Sequence, residues 1–523
     1  MNESAFINSN EEVINDVISD DIVNERSFSK TEKIYAFFAA VLAFLWVEFQ
    51  IFNPAGFIST AVNIVIITAS IVFLKKQGCR FAAINKVIAT VLYLFSFVFS
   101  ITDNGFIKFL VSVFLLIAGA YFVYSAAEGK KEIEKYLPIA LIKAIFEFPF
   151  LDYGAEALAV KSAVGESKSA GNIKYIILGL LMTVPVTFIV AMLLISADKG
   201  MEEVMSNIFM NTFSENGFEI FFHFMVSIPC GFYFYGMLYT NSKRDTLNVL
   251  DADLCEFRIK NAKVIPNMVL YTAVTPVLLL YVIFFFTQGS YFLSAFSGNL
   301  PEGYSYSEYA RRGFFELCGV TIINLAIITF ISFLSQKSGK NKPAALKFYT
   351  LTLSFSTIIL IAVAISKMVM YISEYGLTRL RFYTMWFMIL CALMFVLIIV
   401  KQFKFEMKFS AWFAGVFTVM FAVLCFSSPD YIIAKYNIEM YKAGYLDELD
   451  TDEIYDMSAD AVLYGVRSGE LDVRKAYYVT VNLDDEFVEY LNVPSLMIRE
   501  ELGEIELTED EEARYHRLKH FFW

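Results

Sequence analysis

The stretch IAVAISKMVMYISEYGLTRLRFYTMWF, residues 361–387, decides the fold. Its first half is an apolar run that ends at Gly376, and a second apolar run begins after a turn of a few residues. Glycine is a common helix stop, and so short a turn cannot leave a membrane surface. The stretch therefore predicts two membrane-spanning helices joined by a tight hairpin, with Lys367, Glu374 and two arginines near their joined ends.

The composition supports a membrane protein. Hydrophobic residues make up 57% of the chain and charged residues 18%, whereas soluble domains average about 45–50% and about 25%. The six cysteines include no CxxC pair, and the three histidines form no HExxH motif. We therefore expect no metal site and no cofactor, and the sequence contains no recognisable set of catalytic residues.

Helix-length apolar segments recur along most of the chain. A transmembrane helix needs about 20 mainly apolar residues. Eleven segments meet this requirement, at about 34–52, 54–74, 85–101, 106–127, 175–197, 218–239, 268–288, 313–335, 348–372, 382–400 and 411–428.

The basic residues alternate between the two sides of these spans. One set of connections holds 26 Lys and Arg and the opposite set holds 6. Because cytoplasmic connections carry the excess of basic residues, the N-terminus is predicted to be cytoplasmic. The predicted fold is an all-α integral membrane protein with about eleven transmembrane helices and a small extracytoplasmic C-terminal region.

The same patterns predict the domain organisation. Residues 429–523 contain 23 acidic and 9 basic residues, so the negative charge is concentrated in the tail. We expect the lipid bilayer as a partner, a protein partner outside the cell for this acidic tail, and no nucleic acid, since no basic soluble patch exists. The predicted regions are a disordered acidic cytoplasmic tail (1–33), a helical membrane domain (34–428) with an interfacial or re-entrant segment (137–150), an extracytoplasmic helical pair (429–466) and an acidic extension (467–523).

Three predicted spans contain a proline near their middle, at Pro185, Pro229 and Pro276. A proline removes one backbone donor and frees a carbonyl, which in broken helices can line a ligand cavity. Membrane helices also tolerate proline when neighbouring helices satisfy the backbone. The sequence favours the second interpretation and leaves the first open.

Charged residues recur on one side of the helix that precedes Gly376. Lys367, Tyr371 and Glu374 follow at helical spacing, so they share a face. Lys367 is predicted to lie two thirds to three quarters of the way across the hydrocarbon. Its side chain either snorkels to the surface or forms an ion pair with Glu316 or Glu374 in a polar pocket.

These charges define a predicted ligand-binding site at the outer ends of helices eight to ten. Its cations would attract an anionic group, and its carboxylates would hold those cations in place. The predicted site residues are Arg311, Arg312, Glu316, Lys367, Tyr371, Glu374, Arg379 and Arg381.

Three motifs in this order resemble a known family. They are SYSEYARRGFFEL (305–317), SKMVMYISEYGLTRLR (366–381) and the segment 428–462. The sequence is similar there to a bacterial polytopic membrane family catalogued as the domain of unknown function numbered 4173, over about residues 34–466. The resemblance implies a multi-pass protein of the bacterial cell membrane and no established activity.

Three functions are compatible with these patterns. We favour non-enzymatic binding or transport of an anionic or lipid-linked ligand at the predicted site. The first alternative is a membrane-embedded transferase acting on a lipid-linked substrate, with Glu316 or Glu374 as general base. The second is a structural or sensory envelope protein whose acidic tail meets a partner.

Overall fold

The structure is a computed structural model that describes residues 28–52, 56–164, 215–243, 266–297, 314–334, 344–404, 406–480, 491–503 and 505. These residues are mainly helical and contain no β-strand. In chain order the helices are α1 (Lys30–Trp46, continued by a π-helical turn Val47–Phe52), α2 (Gly56–Lys76), α3 (Ala83–Ser96), α4 (Val98–Ile101), α5 (Gly105–Ala127), α6 (Leu137–Ile142, followed by a π-helical turn Lys143–Glu147), α7 (Phe148–Leu151), α8 (Ala155–Val164), α9 (Glu215–Ser242), α10 (Asn267–Ser297), α11 (Phe314–Leu334), α12 (Ala344–Tyr375), α13 (Arg379–Phe403), α14 (Phe409–Phe426), α15 (Pro429–Lys442), α16 (Thr451–Tyr455), α17 (Ala459–Ser468), α18 (Val473–Thr480) and α19 (Val493–Leu502).

The predicted all-α membrane class is confirmed. Within the described part of the chain, nine helices are long and apolar enough to cross a membrane, and α11 contributes a shorter apolar stretch, Glu316–Ile331. Ten of the eleven predicted spans coincide with one of these helices, and the predicted span 175–197 lies outside the described residues. Most of the predicted cytoplasmic tail, residues 1–27, also lies outside them.

The segment 137–164 consists of helices that are too short to cross a bilayer. Helices α6, α7 and α8 contain 6, 4 and 10 residues, against about 20 for a transmembrane helix. Pro149 lies in the first turn of α7, where proline is tolerated because the missing N–H has no helical partner. A break at Asp152–Gly154 separates α7 from α8.

The chain divides into two compact units. The first unit comprises Met1–Val47, Ser70–Gly78 and Phe146–Ser242. In it, α9 packs along α1, and both α7 and α8 pack against α9. Its core combines small and aromatic side chains, which lets the helices approach closely. The buried members of this core are Phe28, Ala36, Ala39, Ala155, Ala159, Tyr235 and Tyr239.

The second unit, described by itself, contains a bundle in which α12 packs against α10, α11 and α13. Its interior is apolar, with Leu353 and Phe395 almost fully enclosed. Polar contacts also cross it, and in one of them Asn324 donates to the Thr357 hydroxyl at 2.8 Å. Tyr281 donates to the Asn324 carbonyl oxygen at 2.6 Å, so both ends of the buried amide are satisfied.

The same unit includes a layer of short helices, α15–α19, which we call the C-terminal layer. Its core is separate from that of the bundle and centres on buried residues such as Ile438, Val462 and Ile498. Periodic apolar positions explain this arrangement, because each short helix buries only one face. The Phe57 amide donates to the Leu491 carbonyl at 3.1 Å, so the layer also contacts the start of α2.

Candidate ligand-binding site around Lys367

Lys367 lies inside the bundle of the second unit. Its side chain extends from α12, and the residue is 6% exposed. It is eight residues before Tyr375, where the helix ends, a distance of about 12 Å along the axis. A lysine that snorkels out of a helix exposes its ammonium group to solvent or lipid. The low exposure of Lys367 instead indicates a charge enclosed by protein.

The charge of Glu316 acts electrostatically on Lys367. It is the third residue of α11, and its side chain is exposed. A carboxylate near the ammonium favours the charged state of a lysine that burial would otherwise disfavour. Of the two carboxylates considered from the sequence as partners for Lys367, Glu316 has this interaction. Glu374 is exposed.

Arg381 stabilises the end of α12. Its guanidinium donates to the Tyr375 carbonyl at 2.9 Å and to the Gly376 carbonyl. It also lies over the Tyr371 ring, with 4.1 Å between the guanidinium carbon and the ring centroid. The last carbonyls of a helix have no helical partner, and a cation there interacts favourably with the helix dipole. Arg381 and Tyr371 therefore act together as a helix cap.

Arg379 forms a two-pronged ion pair with Asp430. Its Nε and Nη2 atoms donate to the two carboxylate oxygens at 3.0 and 2.8 Å. Nη2 also donates to the Asp456 carbonyl at 2.8 Å. The planar guanidinium matches the geometry of a carboxylate, which makes such pairs specific. Arg379 thus connects the start of α13 to the C-terminal layer.

Asp430 is 1% exposed and accepts two further hydrogen bonds. The Asn104 side chain donates to it at 2.8 Å, and the Ser458 amide donates at 3.0 Å. Asn104 also donates to the Tyr383 hydroxyl at 3.0 Å. A buried carboxylate is tolerated when a cation and hydrogen-bond donors surround it. Asp430 is therefore the centre of a structural network.

Asn437 holds the hairpin after α12. Its carbonyl oxygen accepts from the Leu377 amide at 2.7 Å, and its amide donates to the Leu377 carbonyl at 2.8 Å. Gly376 has a φ of +74°, and a Cβ atom there would lie 2.9 Å from the Asn437 carbonyl oxygen. Glycine is required at this turn both for its backbone conformation and for space.

The structure therefore divides the predicted residues into groups with different surroundings. Lys367 interacts with Glu316, whereas Tyr371 stacks with Arg381 and Arg379 pairs with Asp430. Arg311 and Arg312 lie outside the described residues. Sequence reasoning missed Asn104, Asp430 and Asn437. The only sequence signal for these residues was the Ser-Pro-Asp motif at the start of α15. Their contacts join positions 51 to 326 residues apart, and no spacing rule links positions so distant.

A cavity of about 650 Å³ lies at the other end of α13. Lys404, next to this cavity, is 25 residues from Arg379 at the start of the helix, about 37 Å along its axis. The cavity is therefore separate from the charges around Lys367. Among the described residues, no three His, Cys, Asp or Glu side chains are close enough together to hold a metal ion. The cavity is lined by Leu397, Val400, Lys404, Glu406, Met407 and Trp412.

The apolar helices and their packing define a multi-pass helical membrane protein. The chain belongs to the family described as Domain of unknown function (DUF4153), whose sequence model matches residues 89–468. The family number inferred from the three motifs, 4173, is therefore wrong, although a family of unknown function was expected. No curated protein and no solved structure matches the chain.

Proposed function

We propose that this protein binds or transports an anionic or lipid-linked ligand in the bacterial cell membrane, without catalysing a reaction, and that Lys367 is the charge that meets the ligand. The observation that supports this proposal is the enclosure of Lys367, 6% exposed, within an apolar helix bundle. An ionisable residue inside a membrane domain is costly, and such residues usually serve ligand or ion pathways.

Lys367 is favoured over the arginines because it is enclosed within the bundle, whereas their guanidinium groups stabilise the hairpin and the C-terminal layer. Arg379 pairs with Asp430, and Arg381 caps α12. An anion near Lys367 would interact strongly, since charges attract more in a low-dielectric interior than in water. Glu316 is the carboxylate with which this anion would compete for the ammonium group.

The direction of access follows from the distribution of basic residues. The connection that contains Arg379 and Arg381 belongs to the set with 6 basic residues, so we assign it to the outer face of the membrane. Lys367 lies about 12 Å from that end of α12. The ligand would therefore enter from outside the cell or from the outer leaflet.

A structural or sensory envelope role is the second candidate, and the C-terminal layer supports it. The layer has its own hydrophobic core and is tied to the membrane helices through Asp430. Such an attachment would transmit the binding of a protein partner to α13. The acidic residues beyond the layer would supply the charge that such a partner recognises.

The test compares purified Lys367→Met and Lys367→Arg proteins with the wild type in nanodiscs. Phosphatidylglycerol at increasing fractions in phosphatidylcholine serves as the anionic lipid probe, and inorganic phosphate serves as the soluble one. Native mass spectrometry counts the retained lipids, and calorimetry measures phosphate binding. We expect Lys367→Met to reduce binding at least tenfold and Lys367→Arg to retain part of it.

Lys435→Met is the matched control. Lys435 lies on α15 with a side chain 45% exposed, so removal of its charge should leave probe binding unchanged. Equal binding by Lys367→Met and wild type, with both proteins folded, would overturn the proposal. An unchanged affinity accompanied by altered binding of a protein partner to the C-terminal layer would favour the sensory role instead.

A further inference from the structure

The first unit contains a buried carboxyl group that the proposed function does not use. Glu156 lies in the first turn of α8 and is 4% exposed. Its Oε2 atom has no hydrogen-bond partner among the described residues. Buried polar atoms are nearly always paired, so an unpaired carboxyl oxygen in a native fold requires an explanation.

Glu156 occupies a space created by a glycine. A Cβ atom on Gly231 of α9 would lie 3.2 and 3.3 Å from the two carboxyl oxygens of Glu156. The same Cβ would lie 3.6 Å from the Cα atom of Ala40 on α1. The carboxyl group is therefore close to the point where α1 and α9 approach each other through small residues.

This point lies near the middle of two membrane spans. Gly231 is 12 residues into the span Glu219–Ser242, and Ala40 is 10 residues into the span Lys30–Phe52. These separations correspond to about 18 Å and about 15 Å along the helix axes, close to half of the ~30 Å hydrocarbon core. Glu156 reaches this depth from α8, which is itself too short to span.

The surroundings include a break between the short helices α7 and α8 and a proline inside the continuous helix α9. Pro229 lies inside α9, and its carbonyl accepts a hydrogen bond from the Tyr153 hydroxyl at 3.0 Å. At Gly236 a Cβ atom would lie 2.4 Å from the Pro149 carbonyl, so the backbones of α7 and α9 are in direct contact. Discontinuous helices near mid-depth are where membrane transporters place their ion sites.

Neutral titratable groups face Glu156 from its neighbours. Tyr153 precedes α8, and Tyr235 lies one turn beyond Gly231. Tyr235 in turn donates to the backbone carbonyl of Glu32 on α1 at 3.3 Å, and the Glu32 carboxylate acts on it. Within the described part of the unit, no cation influences Glu156, and only burial shifts its titration.

These surroundings favour the protonated carboxyl. Ionising a buried carboxyl without a cation is costly, so the group retains its proton to higher pH. Burial raises the pKa of Glu156 above the value of about 4.3 for a glutamate in water. A carboxyl group whose pKa is raised by burial can exchange a proton closer to neutral pH than an exposed one.

We propose that Glu156 is a proton-binding site in the membrane interior, held open by Gly231 between α1 and α9. The proton binds to a carboxylate oxygen and leaves as a proton, so no other reactant is consumed. This proposal is independent of Lys367 and of ligand binding by the second unit, because it rests on different residues and a different measurement.

The experiment is an infrared pH titration of the purified protein in nanodiscs, which follows the carbonyl stretch of protonated carboxyl groups from pH 4 to pH 10. The wild type should show a protonated carboxyl that titrates several units above a water-exposed glutamate. The Glu156→Gln protein should lack that component. Proteoliposomes with an internal pH dye should show at least a threefold slower proton flux for Glu156→Gln than for wild type.

Glu219→Gln is the matched control, since Glu219 lies on α9 with a side chain 58% exposed. It should retain the high-pH component and the proton flux. If Glu156→Gln does not fold, Glu156→Asp keeps the carboxyl and should shift the component rather than remove it. The proposal would be overturned if the infrared band of the protonated carboxyl were the same in wild type and Glu156→Gln. A Glu156 carboxyl that titrates below pH 6 would also overturn it.

Discussion

Arg379 and Asp430 join two parts of the chain through a pair of hydrogen bonds, Nε to Oδ1 at 3.0 Å and Nη2 to Oδ2 at 2.8 Å. Arg379 is the first residue of α13, and Asp430 is the second residue of α15. The side chain of Asp430 is 1% exposed and that of Arg379 is 39% exposed. The pair therefore fixes the C-terminal layer on the end of the bundle.

Arg379→Ala should destabilise the protein, because Asp430 would remain buried without its cation. Breaking a fully buried pair costs about 3–5 kcal/mol. We expect about 2 kcal/mol here, since Arg379 is partly exposed and solvent screens its charge. The measurement is the midpoint of thermal unfolding of the purified protein in detergent, which should fall by several degrees.

Arg467→Ala is the control for this prediction. Arg467 pairs with Glu501 at 2.7 Å, but the two side chains are 51% and 44% exposed. Exposed ion pairs contribute little to stability, so its unfolding midpoint should stay near that of the wild type. An Arg379→Ala protein as stable as Arg467→Ala would show that the Arg379–Asp430 pair does not hold the layer in place.

Gly236→Ala should destabilise the first unit. A methyl group there would lie 2.4 Å from the Pro149 carbonyl oxygen, and neither backbone can move without disturbing α7 or α9. Overpacking of this kind costs about 1–3 kcal/mol. The expected result is a lower thermal midpoint in detergent, together with faster proteolysis of the 146–242 region.

The matched substitution is Gly415→Ala in α14. A Cβ atom on Gly415 would have no neighbour within 4 Å, and alanine favours a helix over glycine by about 1 kcal/mol. Its midpoint should remain unchanged or rise. If the two alanine variants unfold at the same temperature, the contact between α7 and α9 at Gly236 is not as close as the structure shows.

Asp460→Asn should stabilise the C-terminal layer at neutral pH. Burial, opposed by a hydrogen bond from the Ser458 hydroxyl, raises the pKa of Asp460, and the Asp430 carboxylate raises it further. The folded state therefore binds more protons than the unfolded state, so stability falls as pH rises through the folded pKa. The gain in stability from Asp460→Asn should be present at pH 7. It should disappear below the pKa that Asp460 has in the unfolded state.

Glu501→Gln should have the opposite effect on stability. Arg467 lowers the pKa of Glu501 through a hydrogen bond and its charge, so the ionised carboxylate favours folding. The variant should be slightly less stable than wild type at pH 7 and equal to it in strong acid. Thermal unfolding between pH 3 and pH 8 checks both variants. If the stability difference between Asp460→Asn and wild type does not vary with pH, the raised pKa of Asp460 is contradicted.

The membrane helices were largely predictable from sequence. Apolar runs must be about 20 residues long to cross a bilayer, and ten such runs coincide with helices of the structure. The stop at Gly376 was also predictable, because a positive φ favours glycine. The break between α7 and α8 was less evident, since short apolar segments do not distinguish an interfacial from a re-entrant position.

The candidate sites were predictable only in part. The position of Lys367 within an apolar run indicated a charge inside the membrane domain, and its interaction with Glu316 was among the alternatives considered. The partners of Arg379 and Arg381 were not foreseen, because they are supplied by Asp430 and by the end of α12. Glu156 was missed entirely, since its local sequence is that of an ordinary short helix.

The sequence by itself determined the class of protein, the positions of the helices and the presence of ionisable residues in apolar runs. These properties depend on local composition and on the fixed length of a bilayer crossing. Only the tertiary structure decided which charges are paired with the protein, as for Arg379, and which are enclosed, as for Lys367 and Glu156. Burial and pairing arise from contacts between residues far apart in the chain, and local patterns carry no information about those contacts.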